Sequence, residues 1–467
     1  MEMTQWPALA TDRVPTGNRH HVGVDDLFFS TTNDLGVITE ANSVFVRLSR
    51  FDRRQLMGAP HNIIRHPVMP QGAFKLMWDT LQAGEPFCAY VDNLAADGST
   101  YRVFATITPI ADGYLSVRTR PMRDDLADAA FALYGPARRL ELEARAEGMM
   151  ARQAAGVGLA SLASGLAGAG FASYDEFIWV ALPAEVEARS AQAFPLLERP
   201  EVAGPLRQML TDTIALGREL AAQSGRQADL SAVATRLAKA VPQLEATISD
   251  AESTADEITR VARGNPGLAP IMLSVTLWTA MMAEIHELTQ ALIGDLAALR
   301  ASSARTRFRV ALAALHTDTI GQFINELIDD PAPDMWGEDA IDMLCGATAE
   351  GMDLTRTLSS DNARLAGAAS SSIRQLADLL AVPRDLIANW QTMIANRSDE
   401  AITRLVPVVA GQLEASGEAV ALLTSLADEV ARVATPPDLD RALQLLASIE
   451  ESVAAYATPS VAPRRGM

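Results

Sequence analysis

The sequence predicts two structural classes joined end to end: an α+β domain with a five-stranded antiparallel sheet and short helices, and a long all-α helical bundle after it. Residues 25 to 121 contain most of the phenylalanines, tyrosines and short alternating apolar runs of the first half. After residue 123 the apolar residues recur at helical spacing, in segments of roughly 30 residues. Aromatic residues make up only 5 % of the chain, a composition that favours helices over sheets.

The α+β domain is predicted to begin with a hairpin, because the short apolar runs 26–30 and 37–39 flank the turn signal Asn33–Gly36. Short helices are then predicted over 43–49, 53–57 and 72–82, the last of them ended by Gly84 as a C-cap. Turn residues with glycine separate three further alternating runs, which predict three antiparallel strands. These strands are Phe87–Asn93, 100–109 and 114–120.

Three later stretches carry apolar stripes at spacings of three, four and seven, which predict long antiparallel helices of a bundle or coiled coil. They are Leu230–Ile248, Met281–Leu296 and Leu413–Val430. Pro242 lies inside the first stripe and predicts a kink or break. Clusters of glycine and proline predict turns. The predicted turns are 264–267, 329–333, 382–385 and 435–437.

The predicted organisation therefore has five consecutive segments. Long striped helices of this kind also indicate a homo-oligomer. The segments are an N-terminal extension (1–24), an α+β sensor-like domain (25–122), signal-transfer helices (123–226), an antiparallel helical bundle (227–456) and a disordered tail (457–467).

Charge and cysteine content exclude several classes of function. The 467 residues include 39 Lys and Arg against 58 Asp and Glu, a net charge of −19, which argues against nucleic-acid and anionic-membrane partners. Two cysteines cannot form a disulfide framework or a four-cysteine zinc site. Together with the lack of a signal-peptide pattern in residues 1–19, they favour a cytoplasmic location. The uncharged run Ala154–Ala172 is too poor in large apolar residues to predict a confident membrane span.

A block of rare residue types stands at fixed spacing in the α+β region: the sequence HNIIRHPVMP from His61 to Pro70, followed eight residues on by Trp78. With the later stretch Gly113–Pro121, this block resembles the PAS domain of bacterial aerotaxis receptors, over about residues 28 to 134. The resemblance implies a PAS fold that senses redox state or oxygen through non-covalently bound FAD. It places five residues at the cofactor: Asn42, Arg65, His66, Trp78 and Asn93.

The types of these residues suit a flavin. The ring system needs an apolar and aromatic slot, its polar edge needs amide donors and acceptors, and the pyrophosphate needs a cation such as Arg65. A purely structural interpretation stands beside each role. Trp78 could belong to the core, and Asn42 and Asn93 could be ordinary turn and strand-end residues.

Four positions depart from the family pattern: Val68 stands for an aspartate, Phe87 and Arg102 for tryptophans, and Leu94 for a basic residue. Without an acidic side chain at position 68, Arg65 or His66 loses an expected neighbour. Three outcomes stay open at this point: bound FAD, another ligand, or an empty PAS domain.

The sequence thus predicts a non-enzymatic, chemotaxis-related signal transduction protein. Its PAS sensor would pass a conformational change through the helix after Arg123 to the bundle and an unidentified protein partner. The alternative is a scaffold or interaction protein whose PAS domain dimerises without a cofactor. Phosphotransfer from His286 is a third reading, but the sequence lacks the proline and the nucleotide-binding domain of a histidine kinase.

Other outputs lack their motifs. A Walker loop, a serine-nucleophile elbow and a metal-spaced Cys/His cluster are absent from the sequence. The helical remainder resembles chemoreceptor helices in architecture only. Its nearest counterpart to their kinase-binding hairpin tip, Phe308–Ile328, lacks that motif.

Overall fold

The computed structural model describes residues 13–263, 269–329, 337–394, 400–433 and 438–457. The chain divides into two compact units. The first consists of Met1–Ala222, Arg307–Leu354 and Leu439–Met467, and the second of Gln223–Thr306 and Thr355–Asp438.

The first unit contains a five-stranded antiparallel sheet in the order β2-β1-β5-β4-β3. Four short helical elements connect β2 to β3: α1 (Ser43–Ser49), α2 (Arg53–Leu56), a 3₁₀ turn (His61–Ile64) and α3 (Gln71–Gln82). The strands are β1 (Phe28–Thr32), β2 (Ile38–Ala41), β3 (Phe87–Leu94), β4 (Thr100–Ile110) and β5 (Gly113–Thr119).

Long helices follow the sheet, so the predicted fold class, an antiparallel α+β domain followed by an all-α region, is confirmed. The helices are α4 (Asp124–Ala146), α5 (Ala151–Gly168), α6 (Tyr174–Ser190), α7 (Pro205–Arg263), α8 (Ala269–Asp329), α9 (Gly337–Ile394), α10 (Glu400–Val433) and α11 (Asp440–Ala457).

The strand register divides the sheet into two faces, because successive side chains point to opposite sides. On the inner face, Phe28 pairs with Arg118, Arg118 with Ala105, and Ala105 with Ala89. This face is covered by α1, α2 and the 3₁₀ turn, and Phe28 stacks on Phe45 of α1 with ring centroids 4.0 Å apart. The outer face packs against long helices of the same unit through buried residues that include Phe29, Tyr90, Phe104 and Val117.

A buried carboxylate on α6 connects the outer face to the strand-to-helix junction. Glu185 is 2 % exposed and accepts hydrogen bonds from Tyr90 Oη (2.7 Å), Met122 N (2.6 Å) and Arg123 N (3.0 Å). Burial raises the pKa of Glu185, and the three donors oppose that rise. The end of β5 and the start of α4 are therefore held at one point of α6.

A second buried carboxylate, Glu141 of α4, caps the N-terminus of α3. Pro70 at the N-cap position offers no side-chain cap, and Glu141 instead accepts from Gln71 N (2.9 Å) and Gly72 N (2.7 Å). A Cβ atom at Gly72 would clash with the backbone of Leu159, so α3 lies directly on α5. The small residues of the Ala154–Ala172 run thus serve close helix packing.

The second unit has an apolar core built from the predicted stripes. The stripe from Leu230 to Ile248 is buried, as are Met282, Ile285, Leu292 and Leu296 of α8. Val430 of the third stripe is fully buried, and Leu413 and Val420 pack against the same core. The periodicity therefore identified the core faces of these helices.

A break at Pro242 and a turn at 382–385 are both wrong, while a kink at Pro242 stays a prediction. Helix α7 continues through Pro242, and α9 continues through Pro383, so neither the break at the first nor the turn at 382–385 exists. A proline inside a helix costs about 3 kcal/mol, and burial of apolar neighbours such as Val241, Leu244 and Leu380 offsets that cost. The turns at 264–267 and 435–437, residues 330–333 and the tail after Ala457 lie outside the described residues.

Among the described helices, one stretch, Val406–Arg432, is long and apolar enough to cross a membrane by composition, with 17 % of it buried. A core helix of a soluble protein passes the same criterion, so this stretch is weak evidence for a span.

The Glu141 cap predicts a local effect on α3. In the full chain, Glu141→Ala leaves two buried backbone N–H groups without an acceptor, so we expect about 3 kcal/mol less unfolding free energy. Hydrogen exchange of the first-turn amides of α3 should rise with it. Glu143→Ala, an exposed change on the same helix, is the matched control. Equal urea midpoints for Glu141→Ala and wild type would contradict the capping role.

Candidate functional site

Small side chains occupy the middle of the sheet's inner face. Ala89 pairs with Ala105, and Ser30 pairs with Ser116 in the adjacent row. Larger residues surround these four, with Phe28 on β1 and Tyr101 and Val103 on β4. These small residues flank Arg118, whose side chain comes from the central strand β5 between Phe28 and Ala105.

Buried polar atoms without a hydrogen-bond partner concentrate on and over this face. Such groups are rare in folded proteins, because desolvation without a partner costs about 1–3 kcal/mol each. Their concentration indicates a polar ligand. We call the residues that carry them the inner-face site. In the described part of the chain they are Asn62 (Oδ1 and Nδ2), Arg65 (Nε), Asn93 (Nδ2), Tyr101 (Oη), Ser116 (Oγ) and Arg118 (Nε and Nη1).

Arg118 is the most buried cation of the inner-face site. Its side chain comes from β5, its guanidinium lies 4.7 Å from the centre of the Phe28 ring, and the residue is 6 % exposed. Burial lowers the pKa of Arg118 to about 10. No ion pair to Arg118 exists among the described residues. Its guanidinium is therefore a charged donor that the protein leaves without a carboxylate.

His61 faces Arg118 from the 3₁₀ turn. Its Nδ1 is 3.5 Å from Arg118 Nη2, and its Nε2 is 3.1 Å from Ser30 Oγ. Burial, followed by the charges of Arg118 and Arg65, holds the pKa of His61 well below its usual range. A neutral His61 thus contacts the guanidinium without adding a second positive charge.

Arg65 supplies the second cation. Its guanidinium lies 3.6 Å from the centre of the Phe74 ring on α3, and its backbone forms a β-bridge with Asn93 at the edge of the sheet. Burial, and to a smaller extent Arg138, lowers the pKa of Arg65 to about 10. Arg118 is buried and Arg65 half-buried, and neither has a carboxylate partner in the described part of the chain, so the inner-face site is suited to an anion.

The residues expected at a cofactor fall into different positions. Arg65 and Asn93 belong to the inner-face site. Asn42 caps α1, since its Oδ1 accepts from Phe29 N (3.1 Å) and Phe45 N (3.0 Å) and its Nδ2 donates to Leu27 O (2.7 Å). The amide of Asn42 is therefore already engaged.

His66 and Trp78 also have contacts within the protein. His66 is buried, its Nδ1 accepts from Val68 N at 3.2 Å, and burial lowers its pKa. Trp78 meets Tyr114 edge to face at 5.5 Å. It also lies against Gly36, where φ is +73° and a Cβ would approach the indole to 3.1 Å. The cofactor roles of all five residues stay predictions.

Three of the four departures from the family pattern, Val68, Leu94 and Arg102, lie away from the inner-face site. The Val68 residue is 49 % exposed. Arg102 is on the outer face, where it pairs with Asp92 (2.9 Å) and lies over the Phe131 ring. Phe87 stacks on Tyr174, and Leu94 is fully buried. The missing aspartate therefore removes no side chain from the inner face.

Sequence reasoning missed Asn62, Tyr101, Arg118 and the contact made by His61. A signal for Arg118 was present, because an arginine at an alternate position of a buried strand is unusual. Asn62 and His61 stand inside the block HNIIRHPVMP itself, but His61 was expected only as a cap of the short helix and Asn62 was not singled out.

No protein-family model matches the chain. A stretch of 108 residues is 41 % identical to the aerotaxis receptor of Escherichia coli (strain K12). The match covers 22 % of this chain and 21 % of that receptor, so the chain spans about a fifth of the relative's length. The resemblance of the N-terminal region to the PAS domain of aerotaxis receptors is confirmed, and it supports a sensor role in signal transduction.

The unpaired charge of Arg118 predicts a test by substitution in the ligand-free protein. We expect Arg118→Met to leave the unfolding free energy unchanged or to raise it by about 1 kcal/mol or more, because an unpaired buried charge is removed. Arg102→Met makes the same change on the opposite face. It should cost about 3 kcal/mol, since it weakens the pairing of buried Asp92. Urea unfolding followed by circular dichroism measures both, and an equal loss in the two variants would contradict the assignment of Arg118 to a ligand.

Proposed function

We propose that the protein is a PAS-domain signal transduction protein of the aerotaxis type, which senses redox state or oxygen and holds FAD non-covalently at the inner-face site. The observation that carries the proposal is the pair of guanidiniums of buried Arg118 and half-buried Arg65, which have no carboxylate partner among the described residues and lie beside unpaired amides. Similarity to an aerotaxis receptor over the same region supports it.

The residues present fit a flavin dinucleotide. Arg65 and Arg118 would neutralise the phosphates, and the amides of Asn62 and Asn93 would meet the polar edge of the ring system. Trp78 and Val103 would border the aromatic ring system of the flavin. His66 would stay near the Arg65 guanidinium. Asn42 would act through the position of α1, because its own amide is engaged there. Bound FAD would supply reversible electron transfer.

The relay runs across the thickness of the sheet. Ala89 on the inner face and Tyr90 on the outer face are consecutive residues of β3, so a shift of one moves the other. Tyr90 donates to Glu185, which also holds Met122 and Arg123 at the start of α4. Tyr134 of α4 donates to the Tyr90 carbonyl at 3.0 Å. A change at the inner-face site would thus alter the packing of α4 and α6.

The wider assignments belong to the same proposal. The output is non-enzymatic and acts on a chemotaxis-type protein partner from the cytoplasm, with the chain as a homo-oligomer. A scaffold whose PAS domain dimerises without a cofactor is the second candidate. The four departures from the family pattern, at Val68, Phe87, Leu94 and Arg102, favour it.

Absorbance of gently purified protein separates the two candidates. We expect flavin bands and heat-released FAD at close to one per chain. Ala89→Leu adds bulk to the inner face beside Ala105 and should lower flavin content about tenfold or more. Val68→Asp, at an exposed position, should leave it within about twofold of wild type. A protein-only spectrum that is unchanged after FAD is added would favour the cofactor-free scaffold.

Substitution of Glu185 tests the relay. Glu185→Gln should retain FAD but raise hydrogen exchange at residues 122–134 about tenfold, which corresponds to about 1.4 kcal/mol of local stability. It should also abolish the difference in exchange between air-oxidised and dithionite-reduced wild type. Glu187→Gln, an exposed change on α6, is the control. Identical exchange of α4 in oxidised and reduced wild type would contradict the relay.

A further inference from the structure

A second concave site lies within the first unit, on the outer side of β1 and β2. It is a cleft of about 1280 Å³, bounded by these strands and by residues of α6, α7, α8 and α9. Its apolar walls include Phe29, Ile214 and Phe323. The cleft is on the opposite side of the sheet from the inner-face site, because Glu40 of β2 pairs with Thr31, whose neighbour Ser30 faces inward.

The cleft contains two buried polar atoms that lack a partner among the described residues, and both are acceptors: Glu40 Oε2 and Gln322 Oε1. The donor end of the Gln322 amide is engaged, since its Nε2 donates to Glu326 Oε1 at 3.0 Å. Ser43 Oγ donates to the same Glu326 atom at 3.3 Å. What these walls require is therefore a hydrogen-bond donor.

Two arginines of the cleft interact with groups other than the two unpartnered acceptors. Arg189, 7 % exposed, pairs with Asp318 and donates its Nε to Val24 O at 3.2 Å. Arg218 is exposed, with Glu198 at 4.0 Å. Arg53 lowers the pKa of Glu40, but burial and the charge of Asp339 outweigh it. Among the described residues, the two unpartnered acceptors of the cleft therefore lack a cationic donor.

We infer that this cleft is a second ligand site, which binds a small organic cation such as an amidinium or alkylammonium on an apolar body. Its N–H groups would donate to Glu40 Oε2 and Gln322 Oε1, and its apolar part would lie against Phe29, Ile214 and Phe323. Because the walls come from both β2 and the long helices, an occupant stabilises their mutual arrangement. The site does not depend on FAD.

Isothermal titration calorimetry of the full chain with benzamidinium chloride at pH 8 tests the inference. We expect saturable binding with a Kd of about 1 mM or tighter. Benzoate and benzyl alcohol, the anionic and neutral analogues, should bind at least tenfold more weakly. Glu40→Gln should weaken benzamidinium about tenfold, and Gln322→Met, from the other wall, by a smaller factor. Glu143→Gln removes the same charge at an exposed position of α4. This variant should bind benzamidinium as the wild type does.

The pH dependence gives an independent readout. Asp339 of α9 and Arg53 of α2 act electrostatically on Glu40, Glu326 of α8 lines the same cleft, and burial raises the pKa of Glu40 to about 7. Lowering the pH from 8 to 6 protonates Glu40, so benzamidinium affinity should fall about tenfold in wild type and change little in Glu40→Gln. No binding at 10 mM, or equal affinity and pH dependence in Glu40→Gln, would overturn the inference and leave the cleft to water.

Discussion

The fold of the first unit depends on buried carboxylates that accept hydrogen bonds from backbone N–H groups of other elements. Glu185 is satisfied only when Tyr90, Met122 and Arg123 occupy their positions together, since each donates to it. An uncompensated buried carboxylate is strongly unfavourable, so the three donors and α6 are fixed as one set. Glu141 imposes the same condition on α3 and α4. These hydrogen bonds therefore fix the short helices over the inner face relative to the long helices that cover the outer face.

The same hydrogen bonds explain how one sheet can present a ligand site on its inner face and pack against long helices on its outer face. Neighbouring residues of β3 and β5 alternate between the faces, so Arg118 contacts the inner-face site while Val117 lies in the apolar core beneath it. Strands tied on both faces have few ways to shift independently. Under the proposed relay, a change of charge or hydrogen bonding beside Arg118 would reach the outer packing as a displacement of the strand.

Local patterns in the sequence predicted the elements well, and tertiary context decided the rest. Alternation and turn residues gave the five strands, and the stripes gave buried faces such as that of Leu230. Pro242 and Pro383 were misread because proline propensity is local, while the packing of Val241 and Leu380 is not. Of the expected site residues, Arg65 and Asn93 reached the inner-face site, whereas Asn42 was taken by a helix cap that any asparagine after a strand can make. The periodicity of the apolar residues does not predict which helix segments cover the sheet.

The two candidate sites have opposite unmet demands, and the hairpin of β1 and β2 separates them. Ser30 and its inner-face neighbours adjoin guanidinium N–H groups that have no partner among the described residues, whereas Thr31 pairs with Glu40, whose Oε2 has no donor among them. A protein with a net charge of −19 repels anions at long range, so an anionic cofactor must be recognised by the buried arginines at contact distance. A cation is instead attracted at long range. In the outer cleft it meets two hydrogen-bond acceptors, Glu40 Oε2 and Gln322 Oε1. The inner face is therefore suited to a tightly held resident group, and the outer cleft to a ligand that exchanges with solution.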